Sequence, residues 1–517
     1  MGTTMFPRYP DPVRHWARIA PRREALSDRR AGTRFSYAEL DAAADRLAAL
    51  LRASGVTRGH RVATMLGNRH EHVALFFACG RLGAMLVPLN WRLAAAELAL
   101  VLSDATPTLL VGEQRFRGTA EEATRCAEAA MGMPSSARWI DVDAEAPGLL
   151  ARQSPSAGHD VAVAPDDPWL VLYTSGSTGR PKGAMLPHRQ LYYNAVATTT
   201  SWELGPNDVA PVTTPFFHTG GWNVFATPLW FRGGRVILLD RFEPAELLDA
   251  LADERCTVAL TVPTQLVMLL ESAAWRRRPE LPHFRAFWSG GAPCPPSVIA
   301  RVRDAGLRLR EGYGLTECGP NCFAISQAEA DARINCVGWP IAYLEMRLVT
   351  EDGREAAADE PGELWLRGPQ LFAGYLKAPE RTAEVMSDGW LRTGDLARRG
   401  ADGAFAICGR KKEMFISGGE NVFPGEIEAA IADCPGVSEV VVVGVPDERW
   451  GEVGHAFVVG RVGVSLMEAD VLRHTRDRLA GYKVPKSVVV LDELPRLGSG
   501  KPDRRALAAH ATRLIQG

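Results

Sequence analysis

The chain has 517 residues, of which 46% are hydrophobic and 23% charged, values typical of a globular protein with about three or four domain-sized units. Its 59 lysines and arginines nearly balance 61 aspartates and glutamates, which argues against a nucleic-acid partner. The N-terminal segment has charges and prolines where a signal peptide needs an apolar stretch, and no apolar run reaches the roughly 18 residues of a membrane span. We therefore expect a cytoplasmic protein without integral membrane contact.

The first third of the chain predicts a βαβ unit. A helix should begin after Ser36, which can form a capping box with Glu39, and end at Gly55. A strand, an apolar helix and a second strand follow at 61–66, 72–83 and 84–90, and this order implies a parallel sheet. Further short apolar runs extend a doubly wound α/β body to about residue 330: 169–173, 235–239, 257–262, 285–288 and 307–310.

The remaining segments differ in composition. Residues 113–166 are rich in Ala, Glu, Pro and Ser with weak periodicity, so a surface excursion is expected there. Short strands punctuated by glycine predict a small β subdomain over 331–408, and a compact α+β pattern follows Arg410. We place a domain boundary near Lys412, which gives a large N-terminal domain over 1–411 and a small C-terminal domain over 412–517.

Nine scattered cysteines without a dense framework indicate reduced thiols. Cys318 and Cys322 stand four apart, but no second pair of cysteines or histidines completes a tetrahedral metal site. Ordinary packing is the favoured interpretation of this pair.

The segment YTSGSTGRPKG over 173–183 has the composition of a phosphate-binding loop. Glycines leave successive backbone amides uncovered, and hydroxyls add further donors. The GxxxxGK pattern of a Walker A loop is missing, and a flexible linker is disfavoured because an apolar strand runs directly into the segment. The candidate phosphate ligands are Thr174, Ser175, Gly176, Ser177, Thr178, Gly179 and Lys182.

This loop resembles the signature of the acyl-adenylate-forming superfamily. Six further motifs match in the family's order: FFHTGG, SGGAP, EGYGLTE, RTGD, GRKKEMFISGGENVFPGEIE and GSGKPDR, over 216–504. The resemblance implies doubly wound α/β subdomains plus the β subdomain in a large adenylation domain, followed by a mobile α+β lid. It also implies an acyl-CoA synthetase that joins a carboxylic acid to AMP and then to coenzyme A, with ATP, Mg²⁺ and coenzyme A as cofactors.

The resemblance also implies roles for individual residues. Tyr313 would stack on adenine and Asp395 would accept hydrogen bonds from both ribose hydroxyls, although an isolated Tyr is more often a core residue and an Asp after Gly a turn former. Glu317, with Thr174, is assigned to Mg²⁺. Lys501 matches the adenylation lysine, whereas a lysine taken alone would be a surface residue. The remaining nucleotide positions implied are Gly290, Gly291, Ala292, Glu311, Gly312, Gly314, Thr316 and Arg410.

The resemblance also implies residues on the acid-binding side of the site. His218 should lie near the carboxylate, and Trp222 resembles the gate of long-chain fatty acyl-CoA synthetases, although an aromatic beside glycines is more often plain packing. Gly221, Trp288 and Gly314 complete the expected acyl pocket. Lys412 matches the hinge of the lid, and the coenzyme A approach would be lined by the exposed amides of Ser417, Gly418 and Gly419.

The identity of the acid stays open. The motifs look closest to medium- and long-chain fatty acyl-CoA synthetases, with coumarate ligases near by, so an aryl-CoA ligase is the first alternative. A ligase that loads a carrier protein in trans is the second. A homodimer is left open, because the sequence does not indicate an oligomeric state.

Overall fold

The computed structural model describes residues 11–132, 137–151, 161–174, 181–418, 420–461, 463–464, 466–498 and 500–516. Its strands are β1 Glu24–Asp28, β2 Thr33–Ser36, β3 Arg61–Met65, β4 Met85–Pro88, β5 Leu109–Gly112, β6 Arg138–Asp141, β7 Pro168–Thr174, β8 Lys182–Pro187, β9 Val209–Val212, β10 Arg235–Leu238, β11 Val258–Thr261, β12 Ala286–Ser289, β13 Leu309–Glu311, β14 Phe323–Ala324, β15 Trp339–Pro340, β16 Glu345–Val349, β17 Gly362–Arg367, β18 Met386–Ser387, β19 Trp390–Arg399, β20 Phe405–Arg410, β21 Phe415–Ser417, β22 Glu420–Val422, β23 Val437–Asp447, β24 Gly451–Gly460 and β25 Ser487–Leu491.

The helices are α1 Pro12–Ile19, α2 Tyr37–Ala53, α3 His70–Leu82, α4 Ala95–Ala105, α5 Arg117–Met131, α6 Ala146–Ala151, α7 His188–Ser201, α8 Thr219–Asn223, α9 Ala226–Arg232, α10 Pro244–Asp253, α11 Pro263–Glu271, α12 Ala273–Arg276, α13 Pro296–Asp304, α14 Gln327–Ala332, α15 Pro379–Val385, α16 Pro424–Ala432, α17 Glu468–Arg476 and α18 Arg504–Gln516. Short 3-10 turns lie at Gln114–Phe116, Thr316–Cys318 and Gly481–Lys483. Within the described residues, no helix is long and apolar enough to cross a membrane.

A six-stranded sheet forms the first layer of the large domain, in the order β6-β5-β3-β4-β7-β8. The predicted βαβ unit is confirmed, since β3 and β4 pair in parallel around α3. The capping box of Ser36 and Glu39 is present at the start of α2, which ends just before Gly55. Only β8 runs antiparallel to its neighbour, β7. These two strands therefore form a hairpin, and the connection between them, residues 175–181, contains most of the candidate phosphate ligands.

The expected surface excursion over 113–166 is corrected by the structure. Helix α5 buries Ala120, Ala123 and Ala127, and β6 adds a strand to the sheet beside β5. A side chain at Gly112 would lie 2.2 Å from the Trp139 ring, so this edge strand is closely packed. The sequence hid both elements because small alanines carry the helical periodicity and the edge strand contributes only four residues.

Two further sheets carry the second half of the α/β body, with strand orders β2-β1-β10-β9 and β11-β12-β13. All neighbouring pairs in them are parallel except β1 with β2. The amide of Asn68, which is 1% exposed, donates to the carbonyls of Val212, Thr214 and Leu239 and so joins the first two sheets. This junction fixes the loop that precedes His218.

The predicted β subdomain is an antiparallel sheet in the order β16-β17-β19-β18, with β20 paired to β19. Beyond it, β22-β21-β24-β23 form a separate sheet with β25 parallel to β24, covered by α16, α17 and α18. The α/β architecture, with a large N-terminal and a smaller C-terminal part, is therefore as expected. The boundary near Lys412 stays a prediction, and it falls in the turn between β20 and β21.

Candidate active site

The candidate site begins at the end of the β7–β8 hairpin where the chain passes from β7 to β8. Thr174 and Lys182 are register partners at this end. The residues between them that the sequence proposes as phosphate ligands, Ser175, Gly176, Ser177, Thr178 and Gly179, lie outside the described residues. The Tyr173 hydroxyl donates to Asp104 Oδ2 at 2.6 Å and thereby anchors the incoming strand.

Asp395 lies at the centre of a hydrogen-bonded group formed by three separate motifs. Its Oδ2 accepts from the Tyr313 hydroxyl at 2.5 Å, and its Oδ1 forms an ion pair with Arg410, with 2.7 Å between Oδ1 and Nε. The carboxylate is 3% exposed, and burial raises its pKa while the Arg410 charge opposes that shift. Each oxygen has lone pairs for a second donor, so the two expected hydrogen bonds from a ribose diol remain chemically available. The Tyr313 ring packs edge-on against Phe323 at 5.8 Å between centroids.

Glu317 lies on the 3-10 turn Thr316–Cys318 and is hydrogen-bonded to Tyr375 and Phe372. Its Oε1 accepts from the Tyr375 hydroxyl at 2.8 Å, and its main-chain oxygen accepts from the Phe372 amide at 2.7 Å. Among the described residues, Oε2 has no protein partner. The ammonium group of Lys182 lies 5.1 Å from the centroid of the Tyr375 ring, which connects Glu317 to the phosphate hairpin. Thr316 contributes its carbonyl, which accepts from Gln190 Nε2 at 3.0 Å.

The expected adenine wall follows the carboxyl ends of β12 and β13. Gly312 donates its amide to Ser289 O at 2.8 Å, and the exposed Gly291 has a φ of +81° that favours glycine. Gly290 and Ala292 flank it in the same turn. A side chain at Gly314 would lie 2.3 Å from the Pro320 backbone, so the turn after Tyr313 tolerates only glycine.

Glu311 stabilises the expected adenine wall through backbone hydrogen bonds. Its two carboxylate oxygens accept from the backbone amides of Cys294 and Asn335, at 3.3 and 3.0 Å. Burial raises its pKa to about 6. These contacts give Glu311 a structural hydrogen-bonding role, and its expected contact with the nucleotide stays a prediction.

His218 forms the N-cap of α8 and lies beside two cations. Burial, together with the charges of Arg92 and Lys501, lowers its pKa to about 4, so the imidazole is neutral at pH 7. The guanidinium of Arg92 covers the Trp91 and Phe217 rings at 5.1 and 5.7 Å. A positive potential therefore surrounds the place where a carboxylate would be expected.

The structure places Trp222 in the core and not at a tunnel mouth. The indole is 0% exposed and is sandwiched between Phe76 and Phe216, with centroid distances of 4.6 and 3.9 Å. Its Nε1 donates to Phe216 O at 2.6 Å, and Phe76 stacks in turn on Trp169 at 4.4 Å. We call these four residues the aromatic stack. A gate must face a cavity, and the plain packing interpretation is the one this geometry fits.

Two other expected pocket residues are also buried. Trp288 is 3% exposed, stacks on Trp202 at 5.2 Å and is covered by the Arg310 guanidinium at 4.9 Å. At Gly221 an added side chain would approach Thr214 O to 2.7 Å, so this glycine permits a tight turn before α8. Both residues are therefore packed behind the surface of the site in this conformation.

The C-terminal part docks so that Lys501 faces the large domain. Its turn is closed by a hydrogen bond from the Leu497 amide to Lys501 O at 2.8 Å, and Asn90 Nδ2 donates to Gly498 O at 3.2 Å. Lys501 is solvent-exposed, yet the facing surfaces lower its pKa, first by desolvation and then by the Arg410 charge, while Asp395 opposes this. Ser499 of the same loop lies outside the described residues.

The expected hinge and coenzyme A approach lie on either side of β21. Lys412 is exposed in the turn after β20. Ser417 is 3% exposed, and the Gly418 amide donates to Trp450 O at 2.8 Å, which corrects the expectation that both offer free amides. Gly419 lies outside the described residues.

Sequence reasoning missed Tyr375 and Arg92. Tyr375 follows a glycine in FAGYL, a segment that carried no recognised chemistry. Arg92 stands in NWRL beside an aromatic, and an arginine next to a tryptophan was the available signal.

The chain matches the AMP-binding enzyme family over residues 13–376 and the AMP-binding enzyme C-terminal domain over 426–501. It is 40% identical to a feruloyl-CoA synthase from Amycolatopsis sp, over 95% of this chain and 96% of the relative. An indoleacetate–CoA ligase from Aromatoleum aromaticum is 39% identical, with 93% and 95% covered. A long-chain-fatty-acid–CoA ligase from Mycobacterium tuberculosis is 32% identical, with 95% of each chain covered.

Solved structures agree with these relatives. ATP-bound MatB from Rhodopseudomonas palustris superimposes with a TM-score of 0.85 at 33% identity, over 96% of this chain and 98% of that one. O-succinylbenzoate coenzyme A synthetase from Bacillus subtilis, in complex with ATP and a magnesium ion, gives 0.85 at 29% identity, with 96% and 99% covered.

Proposed function

Because this chain belongs to the AMP-binding enzyme family, we propose that it is an ATP-dependent CoA ligase for an aryl-substituted carboxylic acid. It is an acid–thiol ligase, as its relatives are. The observation that carries the adenylation chemistry is the convergence of Asp395, Tyr313 and Arg410 opposite a docked Lys501. ATP-bound neighbours of the same fold support ATP as the nucleotide.

Two observations favour an aryl acid over the fatty acid that the motifs first suggested. The feruloyl- and indoleacetate-activating relatives share 40% and 39% identity, against 32% for the fatty-acid ligase. Trp222, the residue expected to open an alkyl tunnel, is buried in the aromatic stack and packs against Phe76 and Phe216. A compact acid therefore suits this conformation better than a long chain.

In the first half-reaction the carboxylate oxygen attacks the α-phosphate of ATP, the bond to pyrophosphate breaks, and acyl-AMP forms. Lys501 supplies positive charge where negative charge develops on the oxygens. His218, neutral at pH 7, can orient the carboxylate by hydrogen bonding without an ionic contact. Asp395 and Arg410 hold the ribose and phosphate side of the nucleotide.

The oxygen-rich pair Glu317 and Thr174 fits a hard divalent cation, because Glu317 Oε2 lacks a protein partner among the described residues. Mg²⁺ bound there would neutralise phosphate charge as pyrophosphate leaves. In the second half-reaction the thiol of coenzyme A attacks the acyl carbon, AMP leaves, and a thioester forms. We assign the lid over 412–517 to the exchange between these two steps, with Lys412 as its hinge.

The test is turnover with ATP, Mg²⁺ and coenzyme A, using ferulate, indole-3-acetate, octanoate and palmitate side by side with mass detection of the CoA thioester. We expect the aryl acids to give the higher kcat/KM. A preference for palmitate would support the fatty-acid alternative, which the Mycobacterium tuberculosis relative favours. Acyl-AMP without any thioester would point to a carrier-loading ligase, and no product from any acid would refute the proposal.

A further inference from the structure

Tyr375 contacts the candidate metal ligand through a hydrogen bond that no recognised motif explains. Its hydroxyl donates to Glu317 Oε1 at 2.8 Å. The residue is 7% exposed, so the hydrogen bond is shielded from water and stronger than one at the surface.

The backbone around Tyr375 is fixed to the strand that leaves the phosphate loop. Leu376 N donates to Gly183 O at 2.8 Å, and Ala373 N donates to Met185 O at 2.8 Å. The Tyr375 amide itself donates to Thr382 Oγ1 at 2.9 Å. The backbone that carries the phenol ring is thus tied to β8 and to α15.

Lys182 completes the connection. Its ammonium lies 5.1 Å from the Tyr375 ring centroid, and its backbone faces Thr174 across the hairpin. The ring is therefore in contact with both candidate binding groups: the phosphate hairpin on one side and the Glu317 carboxylate on the other. A hydrogen bond to one oxygen of a carboxylate fixes its rotamer and presents the other oxygen in a defined direction.

We propose that Tyr375 is a positioning residue for adenylation: it holds Glu317 Oε1 so that Oε2 is presented to the divalent cation of the bound nucleotide, in register with the phosphate hairpin. This role rests on the proposed function. It does not require Tyr375 to touch any substrate.

The test compares Tyr375→Phe with the matched control Tyr193→Phe, whose ring packs against Tyr192 and Tyr343. Mn²⁺ replaces Mg²⁺, and electron paramagnetic resonance measures its affinity for each protein saturated with α,β-methylene ATP. We expect Tyr375→Phe to weaken Mn²⁺ binding ~10-fold, the usual effect of losing such a partner, and Tyr193→Phe to leave it unchanged.

Kinetics separates positioning from misfolding. Tyr375→Phe should slow ATP–pyrophosphate exchange and raise the Mg²⁺ concentration for half-maximal rate, while thioester formation from supplied acyl-AMP keeps its wild-type rate. In a Glu317→Ala background the Tyr375→Phe change should have no further effect on Mn²⁺ affinity. Wild-type Mn²⁺ affinity in Tyr375→Phe, or equal loss of both half-reactions, would overturn the positioning role. A wild-type protein without nucleotide-dependent Mn²⁺ binding would overturn the proposed function as well.

Discussion

Asp433 joins the lid to the large domain in the conformation that points Lys501 at the site. Its Oδ1 accepts from the Ser297 amide at 3.1 Å, at the first turn of α13. A carboxylate at a helix N-terminus satisfies a free amide and interacts favourably with the helix dipole. Asp433→Ala removes both effects, so it should shift the lid away from the adenylation position.

The size of the shift follows from the contact. Loss of a capping side chain costs about 1 kcal/mol, and the contact is partly exposed, which keeps the value near that figure. Since 1.4 kcal/mol is a factor of ten, the lid equilibrium should change ~5-fold. Asp433→Asn retains the acceptor oxygen and should give a smaller change.

Pyrophosphate exchange measures the first half-reaction, and thioester formation from supplied acyl-AMP measures the second. We expect Asp433→Ala to slow exchange up to ~5-fold while the second step keeps its rate or gains. Asp477→Ala is the control, because Asp477 also ends a lid helix but is exposed. Unchanged exchange, or equal slowing of both steps, would show that the Ser297 contact does not select the docked lid.

Three further predictions concern single residues. Lys501→Ala should lower pyrophosphate exchange ~10²- to 10³-fold and spare thioester formation from acyl-AMP, and equal loss of both steps would contradict the division of roles. The pKa of Glu311 rises from 4.5 to about 6 on folding, so the free energy of unfolding falls as the pH rises from 4.5 to about 6. Above that pH the ionised carboxylate costs the folded state roughly 2 kcal/mol. The difference in unfolding free energy between wild type and Glu311→Gln should therefore change between these pH values in urea titrations and stay flat outside them. Gly314→Ala should lower the Tm and ATP affinity, because its methyl group would overlap the Pro320 backbone; wild-type behaviour would refute the close approach.

Local signals predicted much of the fold. The capping box at Ser36 and the βαβ unit around α3 depend on neighbours within a few residues, and both are present. Helix α5 was missed because alanines such as Ala123 bury little apolar surface and leave a weak periodic signal. Strand β6 was also missed, because an edge strand of four residues leaves a weak signal in the sequence.

The site was predictable as a set of motifs but not as a set of contacts. Tyr313, Asp395 and Arg410 were each singled out, yet the hydrogen bond between Tyr313 and Asp395 joins residues 82 positions apart, and sequence alone does not report such pairing. Trp222 was misplaced for the same reason, since its partner Phe76 is distant in the chain. The role of Tyr375 depends entirely on a fold-dependent neighbour, Glu317.

The aromatic stack determines what the tryptophan fluorescence of this enzyme reports. Trp222 and Trp169 are buried against phenylalanine rings, so their emission will report global unfolding and will be insensitive to aqueous iodide. Trp450 is 45% exposed on the lid, against Gly418 and beneath the Arg449 guanidinium. We therefore expect iodide quenching to report on an indole of the C-terminal part, and if that part is the lid proposed above, the quenching will change when coenzyme A is added.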